Sequence, residues 1–284
     1  MVRHVFLLCA CIVTAAHSQT ADNWTDLFNG KDLSGWKLLN GKANFEVRNG
    51  EIIGTTVHGE PNSFLATEET YEDFILELEF MLDHDMNSGI QFRSESKPDH
   101  LNGRVHGYQA EIDPSARAWT GGIYDEARRD WLYPLEYNLE GKKAYRNHEC
   151  NKVRIECIGD AMRIWINRIP TAHLVDNLTS KGFIALQVHS INNPEEAGRQ
   201  IRWRNIRIKT KDIKGYPLDE IFVVNLVPNT VAAQEKRNGV RLLWDGKTTQ
   251  GWRGAYKDGF PAHGWQIQNG ELNVVRSTGG ESQN

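Results

Sequence analysis

The chain has 284 residues, 39% hydrophobic and 25% charged, the composition of a folded globular protein rather than a disordered one. Its net charge is −4 and its basic residues form no long run, which leaves a nucleic-acid partner without electrostatic support. Beyond the N-terminus no segment reaches the ~18 apolar residues of a membrane helix, so no membrane span is expected.

Residues 1–18 read as a signal peptide. Arg3 and His4 form a short basic region, and Val5 to Ala16 an apolar stretch too short to cross a bilayer. Ala16-His17-Ser18 is a small-x-small cleavage site, which sets a mature start near Gln19. The expectation is a secreted protein, periplasmic or extracellular; the alternative is a lipoprotein anchored at Cys11. Cys150 and Cys157 remain after cleavage. On one straight strand they would face opposite sides, so a disulfide between them needs a bend.

The mature chain is a succession of short apolar-alternating runs: 45–55, 73–82, 88–94, 107–113, 152–159, 161–168, 182–189 and 200–210. Each is rich in Ile, Val, Phe, Leu or Trp and is bounded by Gly, Asn, Asp or Pro, which predicts strands. Asn49-Gly50 and Gly159-Asp160 predict hairpin turns. No long helical period is present. The fold class is therefore all-β, a sandwich of two antiparallel sheets with Greek-key connections.

Residues 26–56 recur at 242–275. Phe28-Asn29-Gly30-Lys31 aligns with Trp244-Asp245-Gly246-Lys247, Gly35-Trp36 with Gly251-Trp252, and Asn49-Gly50-Glu51 with Asn269-Gly270-Glu271. The expected organisation is a β-sandwich domain over 19–210, a linker over 211–238, and over 239–284 the N-terminal fragment of a second similar domain. That last segment is too short to bury a core of its own. An apolar patch at 221–227 is a candidate to dock on the first domain.

Several motifs occur in order: FNGKDLSGW (28–36), NGEI (49–52), NSGIQFR (87–93), GYQAEID (107–113), GGIYDE (121–126), IALQVH (184–189) and WRNIRIK (203–209). Together they resemble the 3-keto-disaccharide hydrolase domain family, over about 24–210 and more weakly over 240–275. The resemblance implies a concanavalin A-like jelly-roll sandwich, often secreted, some of whose members cleave glycosides already oxidised to a ketone at carbon 3. The chain departs from the pattern at Asn167-Arg168-Ile169-Pro170, where Asn-Gly is expected.

Strand parity sorts candidate site residues. If Ile90 and Phe92 face the core, Gln91 and Arg93 face away. If Tyr108, Ala110 and Ile112 face the core, then Gln109, Glu111 and Asp113 do not. Ile184, Leu186 and Val188 likewise leave Gln187 and His189 on the opposite side. Three strands thus offer one polar face suited to an oligosaccharide or glycoside. The plain alternative is an ordinary wet face, with Arg93 and Glu111 as a cross-strand ion pair. Asp125, Glu126 and Arg128 are expected on a rim loop that orients substrate, with Trp119, Tyr124 or Trp131 stacking on a sugar ring.

Cleavage of a 3-keto-glycoside needs a base for the carbon-2 proton and a group that stabilises the enediolate. Glu111 or His189 is the expected base, and Arg93 the group that offsets negative charge. A divalent metal ion held by Glu111, Asp113 or His189 is the other way to stabilise it. Glu111 and Asp113 lie two apart on one strand and suit a retaining glycosidase pair only with favourable rotamers, so direct hydrolysis ranks lower. The alternative function is a non-catalytic carbohydrate-binding module.

Overall fold

The computed structural model describes residues 23–276, so the expected signal peptide lies outside the described residues. The strands are β1 (Trp24–Asp26), β2 (Trp36–Asn40), β3 (Asn44–Arg48), β4 (Glu51–Thr55), β5 (Ser63–Thr67), β6 (Phe74–Leu82), β7 (Ser88–Glu95), β8 (His106–Ile112), β9 (Ile123–Glu126), β10 (Asp130–Tyr133), β11 (Asn151–Ile158), β12 (Ala161–Ile166), β13 (Ile169–Val175), β14 (Phe183–Val188), β15 (Gln200–Lys209), β16 (Val224–Asn225), β17 (Trp265–Gln268) and β18 (Glu271–Val274). Among the described residues the one α-helix, α1, covers Ala233–Arg237. No helix among the described residues is long and apolar enough to cross a membrane.

Two sheets make a jelly-roll sandwich. One runs β16-β13-β12-β11-β6-β15-β4-β3 with β1 added on β15, the other β10-β9-β8-β7-β14-β5-β2. Ile90, Phe92, Tyr108, Ala110, Ile112, Ile184, Leu186 and Val188 pack into one core with Leu76, Phe80, Ile201 and Trp203 of the other sheet. Parity therefore assigns the inward face of β7, β8 and β14, and each large apolar side chain buried there contributes roughly 1.5–3 kcal/mol. A smaller apolar cluster, Phe64, Ala66, Val105, Phe183 and Ala185, forms separately from this core.

The turns follow from backbone conformations the sequence allows. Asn49 and Gly50 have φ of 53° and 77°, as a two-residue type I′ hairpin requires. At the β12–β13 hairpin Asn167 and Arg168 take φ of 51° and 71°, so an arginine occupies a left-handed position that suits glycine. Arg168 is exposed. Arg168→Gly should raise stability by about 0.5–1 kcal/mol, the relieved strain exceeding the added freedom of the unfolded chain. A urea titration showing a lower midpoint for the variant would count against this account.

One irregularity matters for the site. The β7–β8 register shifts between Phe92 and Glu95, and Arg93 takes φ 46°. On the other side of β7, Phe183 pairs with Ser94 and Ala185 with Gln91, two residues against three. This bulge inserts one residue and breaks the alternation after Phe92.

Residues 211–238 lie against the sandwich. Val224 and Asn225 pair in parallel with Leu174 and Val175, extending the nine-stranded sheet. Arg163 donates to the carbonyls of Tyr216 and Pro217, and the Tyr133 hydroxyl to that of Phe222. Further on, local bonds of the N-terminal strands recur. The Trp36 indole donates to the Leu27 carbonyl at 2.8 Å, and the Trp252 indole to that of Leu243 at 2.7 Å. Asn29 and Asp245 each accept from the backbone amides two and three residues ahead. The β17–β18 hairpin turns at Asn269-Gly270 with the φ values of Asn49-Gly50 to within a degree. Trp252 is exposed, whereas its counterpart Trp36 is buried. Cys150 and Cys157 are free thiols.

Candidate functional site

The polar face of the seven-stranded sheet forms the floor of a pocket of about 530 Å³, within the size range of small-molecule sites. Gln109, Glu111, Gln187 and His189 line it from β8, β14 and the residue after β14; Tyr124, Glu126 and Trp131 line it from β9 and β10. Asn87, Arg104 and Arg117 come from loops.

Glu111 is the central group. Its side chain is almost wholly buried, with the residue only 5% exposed. Asn87 Nδ2 donates to Oε1 at 2.5 Å and Gln109 Nε2 to Oε2 at 2.8 Å. Burial pushes its pKa up from 4.5 to about 7, against the lowering effect of those two amides and with a small upward contribution from Asp113. Behind it runs a fixed chain of donors. The Ser94 hydroxyl donates to Gln91 Oε1, Gln91 Nε2 to Gln109 Oε1, and Gln109 Nε2 to Glu111. Gly89 makes this possible: a Cβ there would lie 2.3 Å from Gln109 Cδ, so only glycine lets Gln109 lie across β7. Gln91 thus sits behind the pocket lining and orients Gln109.

The remaining expected residues divide. Tyr124 is at the pocket and donates to Asp130; its ring meets Trp131 edge-on at 5.2 Å. Glu126 is at the pocket and accepts from Arg104 at 2.9 Å. His189 Nδ1 lies 2.7 Å from the Ser190 carbonyl, which can only accept, so Nδ1 carries the proton of that bond. Trp119 lies behind Trp131, 4.4 Å between centroids, and donates to Glu136.

Four expectations are corrected by the geometry. Arg93 does not reach the pocket or Glu111: it is 1% exposed and donates to the carbonyls of Glu72 and Gly159 and to Asp73. The bulge is the reason, since it turns this one side chain out of the alternation. Asp125 and Arg128 are not rim groups. Asp125 is fully buried and binds Arg128 at 2.7 Å and Arg129 at 2.6 Å; Arg128 also donates to Thr179. Asp113 does not join Glu111 over the floor. Its carboxylate accepts from the Ser115 amide and from Arg117 Nε at 2.8 Å. Burial raises the Asp113 pKa, but the bonds from Ser115 and Arg117 outweigh it and leave the group below its ordinary value. Held by Asp113, the Arg117 guanidinium lies over Trp119 and Trp131 at 4.3 and 4.9 Å.

The fourth correction concerns the metal. Among the described residues no three His, Cys, Asp or Glu side chains are grouped so as to hold an ion. Asp113 is committed to Arg117, and the two amides cover Glu111. The set Glu111, Asp113 and His189 therefore does not fit a divalent metal.

Sequence reasoning missed Asn87, Arg104 and Arg117 as pocket residues. All three are outside regular strands, where parity carries no direction; Asn87 does open the NSGIQFR motif.

A family model for the 3-keto-alpha-glucoside-1,2-lyase-like domain matches residues 23–209. No curated protein matches the chain significantly in sequence. Among solved structures, a Parabacteroides distasonis ATCC 8503 protein described as a candidate glycosyl hydrolase is 17% identical with a TM-score of 0.50, covering 70% of this chain and 99% of its own. The carbohydrate-binding module CBM66 of Bacillus subtilis is 16% identical with a TM-score of 0.40, covering 61% and 94%. The kappa-carrageenase of Pseudoalteromonas carrageenovora, solved with an oligosaccharide, is 10% identical with a TM-score of 0.44, covering 69% and 98%. The first likeness reflects the shared sandwich fold. The family match spans more than half of the chain, and the chain belongs to the 3-keto-alpha-glucoside-1,2-lyase-like domain family.

Proposed function

We propose that the pocket cleaves the glycosidic bond of 3-keto-glycosides, with Glu111 as the base. The observation that carries this reading is the buried Glu111 carboxylate at the pocket floor, its pKa brought to about 7. A carboxylate of ordinary pKa is a poor base for a C–H proton; one near neutrality is both largely ionised at its working pH and strong enough to accept.

Glu111 takes the proton from carbon 2, made acidic by the neighbouring ketone. The C–H electron pair becomes a C2=C3 bond, and the carbonyl π pair moves to the carbon-3 oxygen. That oxygen then re-forms the ketone, the C2=C3 pair becomes C1=C2, and the C1–O bond breaks. The departing oxygen takes a proton from Glu111, which returns to the carboxylate. The products are a 2-hydroxy-3-keto glycal and the free alcohol. Addition of water, hydroxyl to C1 and hydrogen to C2, makes the net reaction hydrolysis. Tyr124 and Trp131 offer ring surface to the apolar face of a sugar, and Arg104 and Arg117 supply rim donors. A two-carboxylate mechanism on unoxidised glycosides is less well supported, because Asp113 is tied to Arg117.

The test is incubation of the protein with p-nitrophenyl 3-keto-glucoside and with the unoxidised glucoside, before and after exhaustive chelation. The expected result is nitrophenol release from the keto-substrate alone, unchanged by chelator. Glycan binding without turnover would favour a binding module. Activity abolished by chelation and restored by one metal would overturn the metal-free mechanism.

A further inference from the structure

Resting on that reading, we propose that the Gln187 carboxamide is the group that receives the negative charge developing on the carbon-3 oxygen. Gln187 lies on β14, beside the central strand β7 of the seven-stranded sheet, and is fully buried. It lines the pocket floor, yet neither Nε2 nor Oε1 has a hydrogen-bond partner among the described residues. A buried amide with both ends unsatisfied is costly, and native folds rarely keep one without a ligand or water to complete it.

Several neighbours are already engaged with carboxylates. Among the described residues at the pocket, Asn87 and Gln109 donate to Glu111, Arg104 to Glu126 and Arg117 to Asp113. His189 is engaged through Nδ1 with the Ser190 carbonyl. Gln187 Nε2 is thus a free amide donor on the floor.

Its placement suits the chemistry. Gln187 pairs with Gly89, and Gly89 with Glu111, so the two residues share one row, two strands apart. That is about 10 Å between backbones, and Gln109 lies between them above Gly89. A sugar ring over Gln109 can set its C2 hydrogen toward Glu111 and its C3 oxygen toward Gln187. Nε2–H then donates to an oxygen that passes from ketone to oxyanion, a bond that strengthens in the transition state. Oε1 accepts from an adjacent hydroxyl. The carboxamide, one donor and one acceptor, is complementary to a hydroxyketone. Gln187 takes up no proton and forms no covalent bond.

The experiment compares wild type, Gln187→Met and Gln187→Glu on p-nitrophenyl 3-keto-glucoside, with kcat normalised to the folded fraction and Tm measured without ligand. The Met variant keeps length and removes both polar ends; the Glu variant keeps shape and removes the donor once ionised, so it is assayed across pH. The proposal expects kcat to fall roughly 100- to 1,000-fold in both, with a smaller change in KM, while the Met variant's Tm holds or rises. Unchanged kcat in the Met variant overturns it. So does a lower Tm with normal turnover per folded molecule, which would make Gln187 structural. A wild type inactive on the keto-substrate overturns the functional reading itself; an active wild type with an equally active Met variant overturns this inference alone.

Discussion

Glu111→Gln lowers kcat on a 3-keto-glycoside by roughly 100- to 10,000-fold, the range for loss of a positioned general base. It also changes how stability depends on pH. The wild-type carboxyl has a folded pKa of about 7 against 4.5 in ordinary surroundings, raised first by burial. A raised pKa means the folded state holds its proton more tightly than the unfolded chain. The stability from this group is fully present below pH 4.5 and is lost as pH rises through about 7. The loss is on the order of 3 kcal/mol. Gln does not ionise, so the variant's denaturation midpoint should lack this decline. Gln also turns one NH2 toward Asn87 or Gln109, themselves donors, which costs about 1 kcal/mol at every pH. A variant retaining both the wild-type decline and wild-type turnover would show that another group titrates and acts. For the wild type, kcat/KM should rise with an apparent pKa near 7, because the base acts ionised.

Asp125→Ala destabilises the fold by about 3–5 kcal/mol, the cost of removing one partner from a buried ion network. Asp125 holds Arg128 and Arg129; Arg129 also binds Asp176, and Asp176 accepts from the Tyr108 hydroxyl at 2.6 Å. Tyr108 is a core residue of β8, the strand that carries Glu111. Without Asp125 the Arg128 guanidinium stays buried with Thr179 as its one polar side-chain partner among the described residues, where one of its nitrogens is already unpaired. Thermal denaturation should show Tm lower by on the order of 10 °C, with turnover per folded molecule retained. A normal Tm with lost turnover would return Asp125 to substrate binding.

These two residues show where the sequence was readable. Alternation along β7, β8 and β14 separates core from groove because those strands pair regularly around Ile90, Ala110 and Leu186. It brings Glu111, Gln109 and Gln187 to one face without any coordinates. It fails at Arg93, because counting by twos cannot register an inserted residue. In YDEARR the density of charge is plain, but charge alone does not distinguish a ligand-binding rim from a buried network. Tyr124 and Glu126 face the pocket, whereas Asp125, between them, points inward to arginines. Arg104 and Arg117 were unreadable as site residues because loops impose no period. Arg117 is aimed by its bond to Asp113 and by the Trp119 and Trp131 rings beneath it. The Asn49-Gly50 turn was legible because its residue types favour positive φ; the turn at Arg168 forms despite its sequence, held by the strands on either side.

The most direct measurement is carbon-2 hydrogen exchange in D2O on 3-keto-1,5-anhydroglucitol, which has the acidic proton but no aglycone to expel. Followed by proton NMR across pH, it isolates proton abstraction from bond cleavage. The account predicts enzyme-dependent loss of the C2 signal, with a rate that climbs to a plateau above about pH 7 and is absent in Glu111→Gln. No exchange above the solvent background, or equal exchange by wild type and variant, would contradict it.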